Sequence, residues 1–134
     1  MTTTIRHALV LAAVVFATVL VQNSTAAAYR TIRVNNKLSS KMAVIVHCQS
    51  GDDDLKARVV AAADSSYGWG FGWTRATVFW CRLAFRGKRL GFTAYNGEEE
   101  YITKTYVADY DVCDDGVFGT HVYSQKRLCF AEWH

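Results

Sequence analysis

The chain has 134 residues, 51% of them hydrophobic, and a formal net charge of +3 at neutral pH. That length holds one domain of ordinary size. Its basic residues are scattered, with small clusters only at Arg86-Gly87-Lys88-Arg89 and Lys126-Arg127, which excludes the concentrated basic stripe of a nucleic-acid-binding protein.

The first element is a leader. Met1 to His7 is short and polar with one cation, Arg6; Ala8 to Val21 is apolar apart from Thr18; Gln22-Asn23-Ser24-Thr25 then leads into Ala26-Ala27-Ala28. A charged, an apolar and a small-residue region in that order make a secretory signal peptide. The apolar run falls short of the ~20 residues that cross a bilayer, which disfavours an uncleaved anchor. Residues 1–28 are expected to be removed, with cleavage after Ala28 or a residue or two earlier. One domain over 29–134 remains, of about 106 residues and a net charge of about +2. No later run is apolar for long enough to be a second anchor. The mature chain is therefore expected to be secreted and extracellular, without membrane insertion. The one Asn-x-Ser/Thr site, at Asn23, falls inside the leader, so no N-glycan is expected.

The remainder has no proline, repeat or linker. It reads as short runs rich in Val, Ile, Thr and aromatics, cut by Gly, Asp and Asn, which is the pattern of an all-β domain. Thr31 to Val34 alternates up to Asn35-Asn36. In the next run Met42, Val44, Val46 and Cys48 share one face and His47 lies on the other, and Gly51-Asp52-Asp53-Asp54 breaks it. Leu55 to Ala63 has helical propensity, but Val59-Val60 between two turn signals favours a strand. From Ser65 to Trp73 glycines alternate with Tyr67, Trp69, Phe71 and Trp73. The rings share one face, and the glycines opposite let a backbone or side chain approach closely.

Thr77 to Phe85 is the strongest strand, with Phe79, Cys81, Leu83 and Phe85 on one face and Val78, Trp80 and Arg82 on the other. Gly87-Lys88 turns into Leu90 to Tyr95, and Asn96-Gly97 reads as a hairpin turn. Ile102 to Cys113 reads as extended, Asp115-Gly116 turns it into Val117 to Tyr123, and Leu128 to Trp133 closes the chain. Seven to nine strands in so short a chain must bury their apolar faces on one another. A small, disulfide-stapled antiparallel β-sandwich is expected.

The four cysteines, Cys48, Cys81, Cys113 and Cys129, all lie beyond the leader. An even count in a small exported domain reads as a disulfide framework. A zinc site would want close pairs such as C-x-x-C, and none is present, so no metal or other cofactor is expected. Spacing leaves all three pairings open. Cys48 with Cys81 would cross the core from apolar strand faces, and Cys113 with Cys129 would staple the C-terminal hairpin.

Asp52-Asp53-Asp54 has three readings. Adjacent carboxylates on a loop shape turns and cap backbone N–H groups; several of them suit Ca²⁺; and on a loop tip they would meet a basic partner. The run lacks the alternating ligand spacing of a calcium loop, which favours the turn. The aromatic alternation at 67–73 is read as core rather than as a sugar-stacking face, leaving Trp80 as the better exposed aromatic. His47, His121 and Lys126 could be cast as a hydrolase cluster, but nothing in their spacing supports it. No nucleophile motif, paired-carboxylate motif or phosphate loop is present.

Several blocks together resemble one family. His47-Cys48-Gln49-Ser50-Gly51-Asp52-Asp53-Asp54-Leu55 resembles the HC-x-S-x-DDDL signature of the plant self-incompatibility S proteins and their homologues. Ile32-Arg33-Val34-Asn35-Asn36-Lys37-Leu38 is similar to that family's opening strand. Tyr67-Gly68-Trp69-Gly70-Phe71, Thr77-Val78-Phe79-Trp80-Cys81 and Asp114-Asp115-Gly116-Val117-Phe118 resemble its later blocks, in the same order. The chain departs from the family at its last cysteines. Ala108 and Tyr110 stand near where a Cys and a Trp are usual, so no family pairing is carried onto Cys113 and Cys129.

The resemblance implies a secreted β-sandwich that acts as a small, non-enzymatic extracellular protein ligand of a cell-surface receptor. In the family's founding case a stigma protein binds a receptor on incompatible pollen and triggers its rejection. The expected contacts are loops at the ends of the sandwich: Asp52, Asp53 and Asp54; Arg86, Lys88 and Arg89; and Glu98, Glu99 and Glu100, expected to be exposed after a hairpin turn. The protein is expected to act as a monomer, and the alternative is a secreted carbohydrate-binding or toxin-like defence module.

Overall fold

The structure is a computed structural model that describes residues 29–61 and 65–134. The expected leader, and Ala62 and Ala63 at the end of the third expected strand, lie outside the described residues. The elements run β1 (Tyr29–Asn36), β2 (Val44–Gln49), β3 (Asp54–Val60), β4 (Ser66–Gly72), β5 (Val78–Phe85), β6 (Lys88–Asn96), α1 (Gly97–Thr103), β7 (Val107–Cys113), β8 (Gly116–His121) and β9 (Arg127–Glu132). They form a five-stranded sheet in the order β4-β1-β7-β8-β9 and a four-stranded sheet in the order β3-β2-β5-β6. The expected sandwich is present, with one departure from the antiparallel rule. β1 and β7 pair in parallel. A parallel pair needs a long crossover, and the chain between them includes all four strands of the other sheet.

Alternation decides which faces meet. Ile32 and Val34 of β1, Val44, Val46 and Cys48 of β2, and Phe79, Cys81, Leu83 and Phe85 of β5 are buried, while Ile45, Trp80 and Arg82 between them point out. The rings of β4 pack against the core. Phe71 lies 4.7 Å from Phe79 and 5.0 Å from Tyr95, and Phe92 lies 4.8 Å from Tyr110, so aromatic pairs join the two sheets. The glycine stripe opposite has a purpose at Gly70, where an added Cβ would fall 2.0 Å from the Tyr29 hydroxyl.

Two polar ties hold β1 to the other sheet. At its C-terminal end the fully buried Asn36 amide donates to the carbonyls of Met42 (2.8 Å), Val60 (3.1 Å) and Ala61 (3.1 Å), and its oxygen accepts from the Leu38 N–H (3.1 Å). At its N-terminal end the Arg30 guanidinium sits 5.4 Å from the Trp73 ring and 5.1 Å from the Tyr106 ring. Its Nε donates to Glu100 at 2.8 Å, its second nitrogen lies 2.7 Å from the same carboxylate, and the Tyr95 hydroxyl donates to that carboxylate as well.

That second tie corrects the expectation for Glu100, which is buried, whereas Glu98 and Glu99 are exposed as expected. Asn96-Gly97 does not make a hairpin turn. Asn96 is extended and caps α1, its side chain accepting from the N–H groups of Glu98 (3.1 Å) and Glu99 (3.3 Å), as a helix N-cap does. Gly97 is needed for close approach, because a Cβ there would fall 2.0 Å from the Thr74 carbonyl oxygen. The helix takes the first part of the run read as extended from Ile102, and it turns Glu100 inward, leaving it only 4% exposed.

The cysteine pairing is corrected in part. Cys48 and Cys81 are bridged, but they are register partners on the neighbouring strands β2 and β5, with Cα atoms 4.0 Å apart. The bridge therefore clamps one sheet and does not cross the core. Cys113 and Cys129 are free. They stand on β7 and β9 with β8 between them. Strands two places apart lie roughly 9.5 Å apart, beyond the ~7 Å Cα separation that a disulfide spans.

Three outcomes are expected. Thiol titration of the unfolded, unreduced chain gives two thiols, and peptide mapping finds Cys48 joined to Cys81; Cys48→Ala with Cys81→Ala lowers stability by about 3.5 kcal/mol through the freed 33-residue loop. Glu100→Gln removes the buried carboxylate that Arg30 and Tyr95 share and costs about 3 kcal/mol in urea denaturation, whereas Glu98→Gln leaves the midpoint nearly unchanged, because that carboxylate is exposed. Burial first, and for Tyr95 also its bond to Glu100, pushes the Tyr95 and Tyr110 hydroxyls up from the ordinary phenol range. The native state therefore holds protons that the unfolded chain loses, and denaturation midpoints fall as pH rises beyond about 10.

Candidate functional site

The acidic loop between β2 and β3 is built by its own side chains. The Ser50 N–H donates to the Asp53 carbonyl at 2.7 Å and the Asp53 N–H donates to the Ser50 hydroxyl at 3.1 Å. Asp54 accepts from the Lys56 N–H at 2.9 Å and lies 2.6 Å from His47 Nε2. The Lys56 bond, and then His47, hold the Asp54 carboxyl below its usual range. Lys56 itself takes a left-handed conformation, φ 66°, at the bulge where Gln49 pairs with Asp54 and His47 with Ala57. Asp54 is thus a cap for a strained residue, which supports the turn reading at that position. Asp52 and Asp53 are exposed, and their carboxylates have no hydrogen-bond or ion-pair partner among the described residues.

Arg86-Gly87 is a two-residue hairpin loop between the paired Phe85 and Lys88, with φ 51° and 74° at its two residues. That is the type I′ pattern, whose twist matches the flanking strands. It projects Arg86 and Lys88 into solvent. In α1, Glu98 is held by Arg75 at 2.7 and 2.9 Å, Arg75 lies 3.9 Å from the Tyr101 ring, and Glu99 is exposed.

The structure does not gather these groups into one site. Gln49 pairs with Trp80, and Val78 with Asn96, so the acidic loop and the start of α1 share one end of the four-stranded sheet. The Arg86-Gly87 turn lies at the opposite end, after Phe85. Arg89 belongs to neither end: it stands on the outer face, opposite Ala84.

Between the two ends lies a surface that the loop reading passes over. The outer face of the four-stranded sheet carries a shallow groove of about 500 Å³, lined by Ile45, His47, Ala57, Arg82, Ala84 and Arg89 among others. Ile45 is 47% exposed, Val59 71% and Trp80 36%. Alternation in β5 already put Trp80 and Arg82 outward. What it could not give is the register that sets Arg82 diagonal to Ile45 of β2 and Arg89 of β6. His47 lines this groove, while His121 lines a separate cavity of about 60 Å³ near Tyr110 and Glu99. The two histidines are not a catalytic pair. Among the described residues, no helix is long and apolar enough to cross a membrane.

Comparison with known proteins agrees with this architecture. The profile of the family described as plant self-incompatibility protein S1 matches residues 31–133. Among curated relatives, S-protein homolog 3 of Arabidopsis thaliana is 23% identical over 105 residues, which is 75% of this chain and 68% of that protein. S-protein homolog 2 of the same plant is 28% identical over 72 residues, 53% of this chain and 45% of that protein. A solved structure of self-incompatibility protein homologue proteins, described as a widespread family of small, highly stable, secreted proteins from plants, superposes with a TM-score of 0.59 at 12% identity, over 79% of this chain and 95% of its own. At that identity the likeness is one of fold. The profile match over nearly all of 29–134, together with the two-sheet fold and the capped acidic loop, places the chain in the plant self-incompatibility protein S1 family.

Proposed function

We propose that this chain is a secreted, non-enzymatic protein ligand that acts in extracellular recognition by binding a cell-surface receptor as a monomer after removal of residues 1–28. The observation that carries the reading is the pair of rigidly built, oppositely charged tips at the two ends of one sheet. Asp52 and Asp53 stand on a loop fixed by Ser50 and Asp54, and Arg86 and Lys88 stand around a two-residue turn. Unpaired charges on a preorganised scaffold steer and select a partner at little ordering cost. The separation of His47 from His121 supports a binding role over hydrolysis. Arg75 already holds Glu98, and Glu100 is spent on Arg30, so Glu99 is the contact left in α1.

Membrane extract from the protein's own tissue, probed with the oxidised chain, tests the reading. Reversing Asp52 and Asp53 to Lys, or Arg86 and Lys88 to Glu, is expected to weaken capture at least tenfold and to move the thermal midpoint very little. Undiminished capture by both variants would remove the loops from the interface.

A second reading, a secreted carbohydrate-binding or toxin-like defence module, draws on Trp80, whose ring is exposed on the outer face. It requires tight binding to one oligosaccharide on a glycan array, lost in Trp80→Ala.

A further inference from the structure

The charges on the two outer faces are arranged differently. On the five-stranded sheet the cations are matched. Arg33 lies 2.7 Å from Asp109 and Arg127 lies 3.1 Å from Asp111. On the four-stranded sheet Lys56 lies 3.9 Å from Asp54, but Arg82 and Arg89 have no such partner. Arg82 pairs across the ladder with Gly91, and Ala84 with Arg89, so Arg82 and Arg89 are diagonal neighbours on one face, about 7–8 Å apart with their β-carbons somewhat closer. Both are exposed, and neither side chain has a hydrogen bond or ion pair with any described residue. Two cationic side chains rooted that close on one face repel, weakly in solvent, and a carboxylate between them would pair with both. Asp54, a carboxylate of β3, is engaged by the Lys56 N–H, by His47 and, at 3.9 Å, by the Lys56 ammonium.

The floor beside the arginines is aliphatic. Ile45, Ala57 and Ala84 line the groove with their side chains, while Leu83 and Leu90, whose side chains are buried in the core, and Gly91 line it with backbone. Small side chains at 57, 84 and 91 lower it, and Ile45 and Val59, which are register partners, stand exposed along it. The small aliphatic floor has no Phe, Tyr or Trp ring for a sugar to stack on, though His47, Arg82, Arg89 and His134 also line the groove. The floor suits aliphatic side chains instead. Trp80 is not part of the groove lining.

The sheet edges do not invite an added strand at this place. The Arg89 backbone at the β6 edge is taken, its N–H donating to the His134 carbonyl (3.1 Å) and its carbonyl accepting from the His134 N–H (2.9 Å). The β3 edge is bulged at Lys56, a device that blunts edge pairing. Docking must therefore use the face.

We propose that the outer face of the four-stranded sheet docks an acidic segment of a partner protein, with a carboxylate between Arg82 and Arg89 and flanking aliphatic side chains on Ile45, Ala57 and Ala84. This rests on the reading of the chain as a protein ligand and adds the chemistry of the partner. It adds a contact on the sheet face to those at the loop tips.

The test uses the mature, oxidised chain and a fluorescein-labelled (Asp-Leu)4 peptide, followed by fluorescence anisotropy, with (Lys-Leu)4, polygalacturonate and phosphatidylglycerol vesicles as comparison probes. The acidic peptide is expected to bind, and to bind more weakly as salt rises. Arg82→Gln with Arg89→Gln is expected to weaken it about tenfold or more. Ile45→Ser is expected to weaken it several-fold at unchanged salt dependence, and Asp52→Lys with Asp53→Lys not at all. The Arg variants should melt no lower than the parent, since they relieve repulsion. Absence of peptide binding, equal binding of the lysine peptide, or binding insensitive to the Arg variants would overturn the proposal. Polygalacturonate or vesicles that bind more tightly and displace the peptide would overturn it in favour of a polysaccharide or a lipid surface. The assay needs no receptor, so its failure is separate from a failure of cell-surface capture: a chain that captures a receptor through its loops but ignores the peptide keeps the ligand reading and loses this one.

Discussion

The fold depends on β1 being tied to the opposite sheet at both ends. It is an inner strand, with β4 on one side and β7 on the other. At one end Asn36 takes three carbonyls and one N–H from the chain that enters β2 and leaves β3. At the other, Arg30 reaches Glu100 on the helix that follows β6. A buried amide or carboxylate without partners would cost about 1–3 kcal/mol for each group. Satisfied, these groups fix how one sheet sits on the other, which an aliphatic interface alone leaves free to slide. Aromatic pairs such as Phe71 with Phe79 and Phe92 with Tyr110 then fill the space between.

That frame divides the surface by charge. The outer face of the five-stranded sheet is a ladder of ion pairs internal to the chain. The four-stranded sheet has an acidic tip at one end, a basic turn at the other, and an aliphatic, cationic groove between them. An internally neutralised face has little left to offer a partner. A face on which Arg82 and Arg89 lack ion-pair partners beside the exposed Ile45 leaves interactions to be completed from outside. The functional reading and the docking proposal both draw on this asymmetry.

How far the sequence carried differs from residue to residue, for physical reasons. Strand β5 was legible because period-2 alternation is local, and Phe79, Cys81, Leu83 and Phe85 did turn inward. Asn96-Gly97 misled because the same pair suits a tight hairpin and a helix cap. The three acids that follow are the sign that favours a helix, since they fill its first turn. Glu100 looked exposed because its counter-ion, Arg30, lies seventy residues away in sequence. The free Cys113 and Cys129 follow from β8 lying between β7 and β9, which no spacing encodes. The groove was hidden for a similar reason, because Arg82 and Arg89 become neighbours only once β5 and β6 are in register.

The parallel pairing of β1 with β7 also sets a clock. Arg33 meets Asp109 across seventy-six residues, whereas β5 meets β6 across a two-residue turn. Contacts that close long loops form slowly, so the hairpin of the four-stranded sheet can assemble while β1 still waits for its neighbour. The chain contains no proline, so prolyl isomerisation adds no delay of its own. Closing the five-stranded sheet then waits for the C-terminal third, apart from the separate slow step of joining Cys48 to Cys81, and until β7 arrives its edge of β1 is without its partner strand.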